Sequence, residues 1–201
     1  GTNGAAGGKG AKGDTGDQGI QGETGATGTA GTNGTNGTAG ANTTHAIGDS
    51  FGGGIVFFVY DGGQHGLIAA TADQSAGIRW YGGSYTNTRA RADGIGAGLK
   101  NTAIIIANQG PVDGNAFAAT VCNEYSVTVD GVTYGDWYLP SKHELNLLYI
   151  ERAAVGGFTT NYYWSSTEYG TLDAWLQIFN GGYQFYDNKS STDGVRAVRA
   201  F

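Results

Sequence analysis

The chain has one cysteine, two prolines and no methionine in 201 residues. A lone thiol, Cys122, permits no intrachain disulfide, so the fold is not a stapled one. No apolar run approaches the ~20 residues that a membrane-spanning helix needs. Basic residues are few: 11 Lys and Arg stand against 17 Asp and Glu, a net charge of −6. With no basic stripe, duplex nucleic acid and heparin-like polyanions are excluded as partners. The first residue is a glycine inside a running repeat, so a fragment or processed chain is expected, any signal peptide or anchor lying upstream.

What is plentiful is glycine, with 38 residues. Glycine occupies position 1 and every third position through Gly40, an unbroken series of 14 Gly-X-Y triplets over residues 1–42. Only glycine fits at the crowded axis of three wound chains, so the period predicts a collagen triple helix and a homotrimer. A flexible glycine-rich linker is the alternative, and it has no reason to keep period three. Fully wound, residues 1–42 would reach about 130 Å. The segment has no proline, so polyproline II is not pre-set and ordering each residue costs more entropy. Such a stalk is marginal alone and needs a trimeric head to hold register. Lys9 and Lys12 against Asp14, Asp17 and Glu23 give it a charge of −1, which leaves −5 for residues 43–201.

Residues 43–201 read as a globular head of the α+β class. The best-specified stretch is 137–149. Pro140 ends an extended run, Ser141 reads as an N-cap, and Glu144 completes a capping box. Leu145, Leu148 and Tyr149 then follow at helical spacing until Gly156 and Gly157, which predicts a helix over 141–154. Strands are expected over 52–60 and 66–71, with a short one near 78–81. Residues 82–98 read as a long loop. Asn101 or Thr102 is the expected cap of a helix through Asn108, and Asp113 or Asn115 that of another. Asp130-Gly131 marks a hairpin over 127–134. The C-terminal strands fall at 164–168, 174–179, 183–187 and 195–200, with a tight turn at Asn180-Gly-Gly182.

Asp136-Trp-Tyr-Leu-Pro-Ser-Lys-His-Glu-Leu145, Tyr163-Trp-Ser-Ser-Thr-Glu-Tyr169, Ala174-Trp175 and the final Val195-Arg-Ala-Val-Arg-Ala-Phe201, in this order, carry a resemblance. The region from about Ile47 to Phe201 resembles the Lcl C-terminal domain family, the head-domain family of a Legionella collagen-like adhesin. The resemblance implies a C-type-lectin-like fold and an extracellular, bacterial cell-surface adhesion role. The acidic head departs from the basic surface that sulfated-glycan binding uses, so that activity is not carried over.

Motifs for chemistry dissolve on inspection. Gly48-Asp-Ser-Phe-Gly52 matches the nucleophile-elbow pattern but lacks the strand before and the helix after. His143-Glu144 begins like a zinc-protease helix, yet Leu147 stands where the second histidine belongs. The histidines, 45, 65 and 143, have no metal spacing. Cys122 reads as a buried small hydrophobe. No cofactor and no enzymatic activity are therefore expected. Asp187, Asn188 and Asp193 pack oxygen ligands into one loop, a weak calcium candidate, but Lys189 sits among them and a solvated turn is the expectation. Aromatics are the richer set. Period two puts Trp175, Gln177 and Phe179 on one strand face and Leu176 and Ile178 on the other, so both faces are expected to be covered. Trp80, Tyr81, Tyr85, Arg89, Arg91, Tyr183 and Tyr186 are the candidate ligand-binding residues, a sugar platform or a trimer contact. The expected function is a non-enzymatic trimeric surface protein whose head binds a glycan or cell-surface receptor. The alternatives are a subunit of an extracellular filament, built through head-to-stalk or head-to-head contacts, and a phage tail-fibre tip.

Overall fold

The computed structural model describes residues 1, 3–5, 7–14, 16, 19, 43–110 and 112–201. The chain divides into two compact units, Gly1–Gly40 and Ala41–Phe201. The described residues of the first unit are exposed and have no helix or strand. The expected triplets beyond residue 19 lie outside the described residues.

The second unit is a mixed α+β fold. Its elements in order are β1 (Ser50–Phe51), β2 (Gly54–Tyr60), a 3-10 turn (Asp61–Gly63), β3 (His65–Ala70), β4 (Ser75–Ile78), α1 (Ala97–Gln109), α2 (Ala118–Asn123), β5 (Val127–Val129) and β6 (Val132–Tyr134). Then come α3 (Lys142–Ile150), α4 (Arg152–Val155), β7 (Tyr162–Glu168), β8 (Asp173–Ile178), β9 (Gln184–Asn188), β10 (Asp193–Val195) and β11 (Val198–Ala200). One sheet has the order β1-β2-β3-β11 and the other β4-β10-β7-β8-β9, while β5 and β6 form a separate hairpin. All pairings are antiparallel except β10 with β7.

Two apolar clusters fill the interior. Neighbouring strand residues point to opposite faces, so Val56, Ile68, Trp164 and Leu176 meet Ile105 of α1, Cys122 of α2 and Phe117 just before α2 in one cluster. Phe57, Leu67 and Tyr163 meet Leu145 and Leu148 of α3 in the other. Both faces of β8 are covered, as the alternation of its residues requires: Ala174 and Leu176 join the first cluster, while Gln177 is buried on the other side.

The capping box of α3 forms as read. Ser141 Oγ accepts from Glu144 N–H at 3.2 Å, and Ser141 N–H donates to Glu144 Oε2 at 2.8 Å. Glu144 goes further, accepting from Gly96 N–H (2.7 Å), Gly98 N–H (3.2 Å) and the Tyr138 hydroxyl (3.2 Å). Burial pushes its carboxyl above the ordinary value, against these hydrogen bonds. The expected single helix to 154 is broken at Glu151 and resumes as α4.

Three other expectations need correction. α1 begins at Ala97, not at Asn101 or Thr102, because those side chains bind elsewhere. Asn101 holds Ala92 through both its amide atoms, and Thr102 bridges Gly98 O and Leu139 N–H. α2 begins at Ala118 rather than near Asp113, which pairs with Arg79. Residues 195–200 are two strands, not one. The chain leaves one sheet after Val195 and enters the other at Val198, and Arg196 at the crossing is fully buried. Arg196 donates to Asp73 Oδ1 at 2.8 Å and to the carbonyls of Ala70, Gly156 and Gly157. A planar guanidinium with five donors suits such a site.

Candidate functional site: an aromatic wall on an edge strand

The turn Asn180–Gly182 folds β9 back on β8 so that Trp175 faces Tyr186 directly across the pair. Same-face aromatics in register make contact, and the two rings meet edge to face at 5.8 Å. Tyr169, just past β7, stacks on Tyr186 at 4.1 Å with the planes 2° apart and meets the edge of Trp175 at 5.4 Å. Phe185 continues the stack, 5.1 Å from Tyr186 and 9° from parallel. β9 is the outermost strand of its sheet among the described residues. Phe185 is 55% exposed and Tyr169 47%. The Lys142 ammonium lies 4.1 Å from the Trp175 ring centre, a cation–π contact that places a positive charge on the wall.

A shelf of polar backbone borders the wall. Lys142 N–H donates to Thr167 Oγ1, and that hydroxyl donates to Ala92 O. His143 N–H donates to Asp93 Oδ1 at 2.7 Å. Loop 82–96 is thus tied to the start of α3 and the end of β7. Beneath it sits Glu168, buried, which accepts from Thr88 N–H (2.8 Å), Arg89 N–H (2.9 Å) and the Lys189 ammonium (2.6 Å). Lys189 is also buried and donates to Thr86 O and Thr171 O, so all three of its N–H groups have partners. Burial lowers the Lys189 pKa, and Glu168 opposes that shift.

The sequence-derived candidates scatter over this framework. Trp80 is wholly buried, its indole N–H bonded to Ser165 O and the Lys189 ammonium over its ring, so it is core and not a ligand contact. Tyr81 and Tyr85 stack at 4.8 Å beside Arg79, and the Tyr85 hydroxyl donates to Asn188 Oδ1 at 2.6 Å. Arg89 and Arg91 are exposed on the loop, Arg89 with a strained φ of 63° that its N–H bond to Glu168 holds. Arg91 Nε lies 3.8 Å from Glu168. Tyr186 is at the centre of the wall. Tyr183, 74% exposed, stands on the turn side of β9.

Asp187, Asn188 and Asp193 do not converge as a ligand set. Asp187 Oδ1 accepts from Asn188 N–H, and Asn188 Oδ1 accepts from Tyr85 and Ser190. Asp193 Oδ2 is buried without a partner; burial first, and then Asp187, push its pKa up to about 6. Lys189 is turned inward, so the expected solvated turn has a buried cation at its centre. Among the described residues no group of three His, Cys, Asp or Glu side chains could hold a metal ion. Cys122 is buried among apolar side chains, which pushes its thiol pKa well up and makes it a poor nucleophile. Ser50 opens a β-hairpin, with no helix after it.

Sequence reasoning missed Tyr169, Trp175, Phe185 and Lys142. A hairpin centred on Asn180 and Gly181 puts Trp175 opposite Tyr186, so the core of the wall was legible from turn register. The contribution of Tyr169 was not, because it depends on how the chain leaves β7. Comparison with protein-family models and with curated proteins finds no match to this chain.

Proposed function

We propose that this protein is a non-enzymatic, extracellular, collagen-stalked homotrimer whose C-type-lectin-like head binds a ligand through the aromatic wall. One observation carries the reading: glycine holds every third position through Gly40 without a break. That period has a physical reason only where three chains share an axis. Three stalks bring three heads together, so weak head sites gain by avidity. The ligand class is a glycan. Flat aromatic faces flanked by tyrosine hydroxyls and one ammonium suit the apolar face and hydroxyl rim of a pyranose, and the acidic head disfavours sulfated chains.

Sedimentation equilibrium with far-ultraviolet circular dichroism tests it. The full chain is expected at three times 20.7 kDa with a triple-helix signal that melts cooperatively. A monomer without that signal refutes the reading. Gly13→Ser, which puts a side chain on the crowded axis, is expected to lower the melting point of the signal.

A second reading is favoured by β9, whose outer edge has no strand partner among the described residues, with Phe185 on it and Tyr183 just before it exposed. Such an edge accepts another strand. Head-to-head pairing there would build a filament, visible by electron microscopy as concentration-dependent polymers.

A further inference from the structure

The β5–β6 hairpin has one apolar face, and half of it is exposed among the described residues. Val127 opposes Tyr134, Val129 opposes Val132, and these four share a face; Thr128 and Thr133 bond to each other on the opposite one. Val127 and Tyr134 rest on Gly53, where an added Cβ would lie 2.3 Å from Val127. Val129 and Val132 project beyond, 42% and 52% exposed. Beside them opens a cleft of about 540 Å³ between the hairpin and the turn joining β1 to β2. Gly52, Gly53, Gly54 and Phe51 line it on one side and Val129 and Val132 on the other, and Asp130 at the hairpin tip is the one charged residue among the described lining residues. An isolated hairpin with half its apolar face in water is marginal.

We infer that this valine face and glycine-lined cleft form the contact between neighbouring heads, the Val129–Val132 pair of one copy seating in the cleft of the next. The inference rests on the trimer reading above and names its surface. The Gly-X-Y segment ends at residue 42 and the head continues at Thr43. Three chains leaving one triple helix start their heads side by side. Only six residues separate Thr43 from Ser50 at the cleft, a span of at most about 25 Å over seven steps even if fully extended. The chain thus reaches the cleft within a few residues of the start of the head, and the occupant we infer is a second copy. Its chemistry agrees: an apolar face with a single charge suits a permanent contact between copies better than a polar ligand. Valines of one head in the cleft of the next make a heterologous contact, which closes as a ring of three under the symmetry the stalk imposes.

The test compares the full chain with V129D/V132D, and with Leu99→Asp as a control at an exposed site on α1. Sedimentation equilibrium reads assembly, and tryptophan fluorescence reads the fold of the head. A trimeric wild type and control, with a folded double variant that is monomeric or dissociates at concentrations at least tenfold higher, supports the contact. A double variant as trimeric as wild type overturns the contact and leaves the trimer standing. A monomeric wild type overturns the trimer reading and this contact with it. If the aspartates unfold the head, V129T/V132T keeps the β-branched shape and is judged by the same outcomes.

Discussion

Removing the Lys189 ammonium is expected to be the most damaging single change at the long loop. Lys189→Met keeps the aliphatic stem against Trp80 but deletes three hydrogen bonds and the positive charge beside Glu168. Both side chains of the pair are fully buried, so Glu168 is left as a buried carboxylate with two backbone donors and a distant Arg91. Breaking one side of such a pair costs about 3–5 kcal/mol. Glu168→Gln leaves Lys189 uncompensated and one loop N–H facing an amide donor, so a loss of about 3 kcal/mol is expected. The double variant K189M/E168Q removes the buried charges together, and its loss should fall at least ~2 kcal/mol short of the sum. Urea denaturation at one fixed protein concentration, followed by tryptophan fluorescence, measures all four chains, since a trimer would make stability concentration-dependent. Single-variant effects that add to within ~0.5 kcal/mol would refute the claim that this pair acts as one unit holding loop 82–96.

Three further outcomes follow from the same geometry. Tyr169→Ala and Tyr186→Ala are each expected to lower glycan-array binding at least tenfold with melting points within a few degrees of wild type, whereas Tyr183→Ala, outside the stack, should bind within threefold; unchanged binding in both stack variants removes the wall as the site. Glu144→Gln gives up one of two acceptor oxygens shared by Gly96, Gly98, Ser141 and Tyr138, so a loss of about 2 kcal/mol is expected by urea titration, against about 1 kcal/mol for Ser141→Ala. Asp193→Asn removes a carboxyl whose pKa in the fold is raised to about 6. Because the fold holds that proton more tightly than the unfolded chain, the wild type loses stability as pH rises from about 4 to about 6, and the asparagine chain should lose less. The full conversion would be about 3 kcal/mol, which part-exposure and screening reduce to an expected gain of ~1 kcal/mol at pH 7 and none at pH 3. Parallel stability–pH curves for the two chains would contradict it.

The legible parts of this head were those encoded by near neighbours. The capping box at Ser141 and Glu144, the Asp130-Gly131 hairpin, the alternation that covers both faces of β8 and the burial of Cys122 are set within a few residues or by composition. Failures came where a residue with a local role in prospect found a distant partner. Thr102 and Asp113 looked like helix caps, but Leu139 and Arg79 claim them across 37 and 34 positions. Trp80 looked like a surface aromatic because it borders a polar loop. Its burial depends on Ser165 and Lys189, which no window around residue 80 contains.

Buried charge explains the misreading of Trp80 and the placement of the wall. Loop 82–96 is too rich in glycine, threonine and asparagine to fold onto an apolar core, and it is held instead by carboxylates beneath it. Glu168 fixes Thr88 and Arg89, and Glu144 fixes Gly96 and Gly98. Both carboxylates lie on the elements that flank the wall: Glu168 ends β7 beside Tyr169, and Glu144 is in the first turn of α3, two residues after Lys142. The framework that orders the loop therefore also positions Tyr169 and Lys142 against Trp175 and Tyr186. A substitution at Glu168 is on this account a binding mutation as well as a stability mutation. Glu168→Gln should weaken glycan binding even at temperatures where the head is fully folded, and binding unchanged from wild type under those conditions would separate the loop framework from the wall.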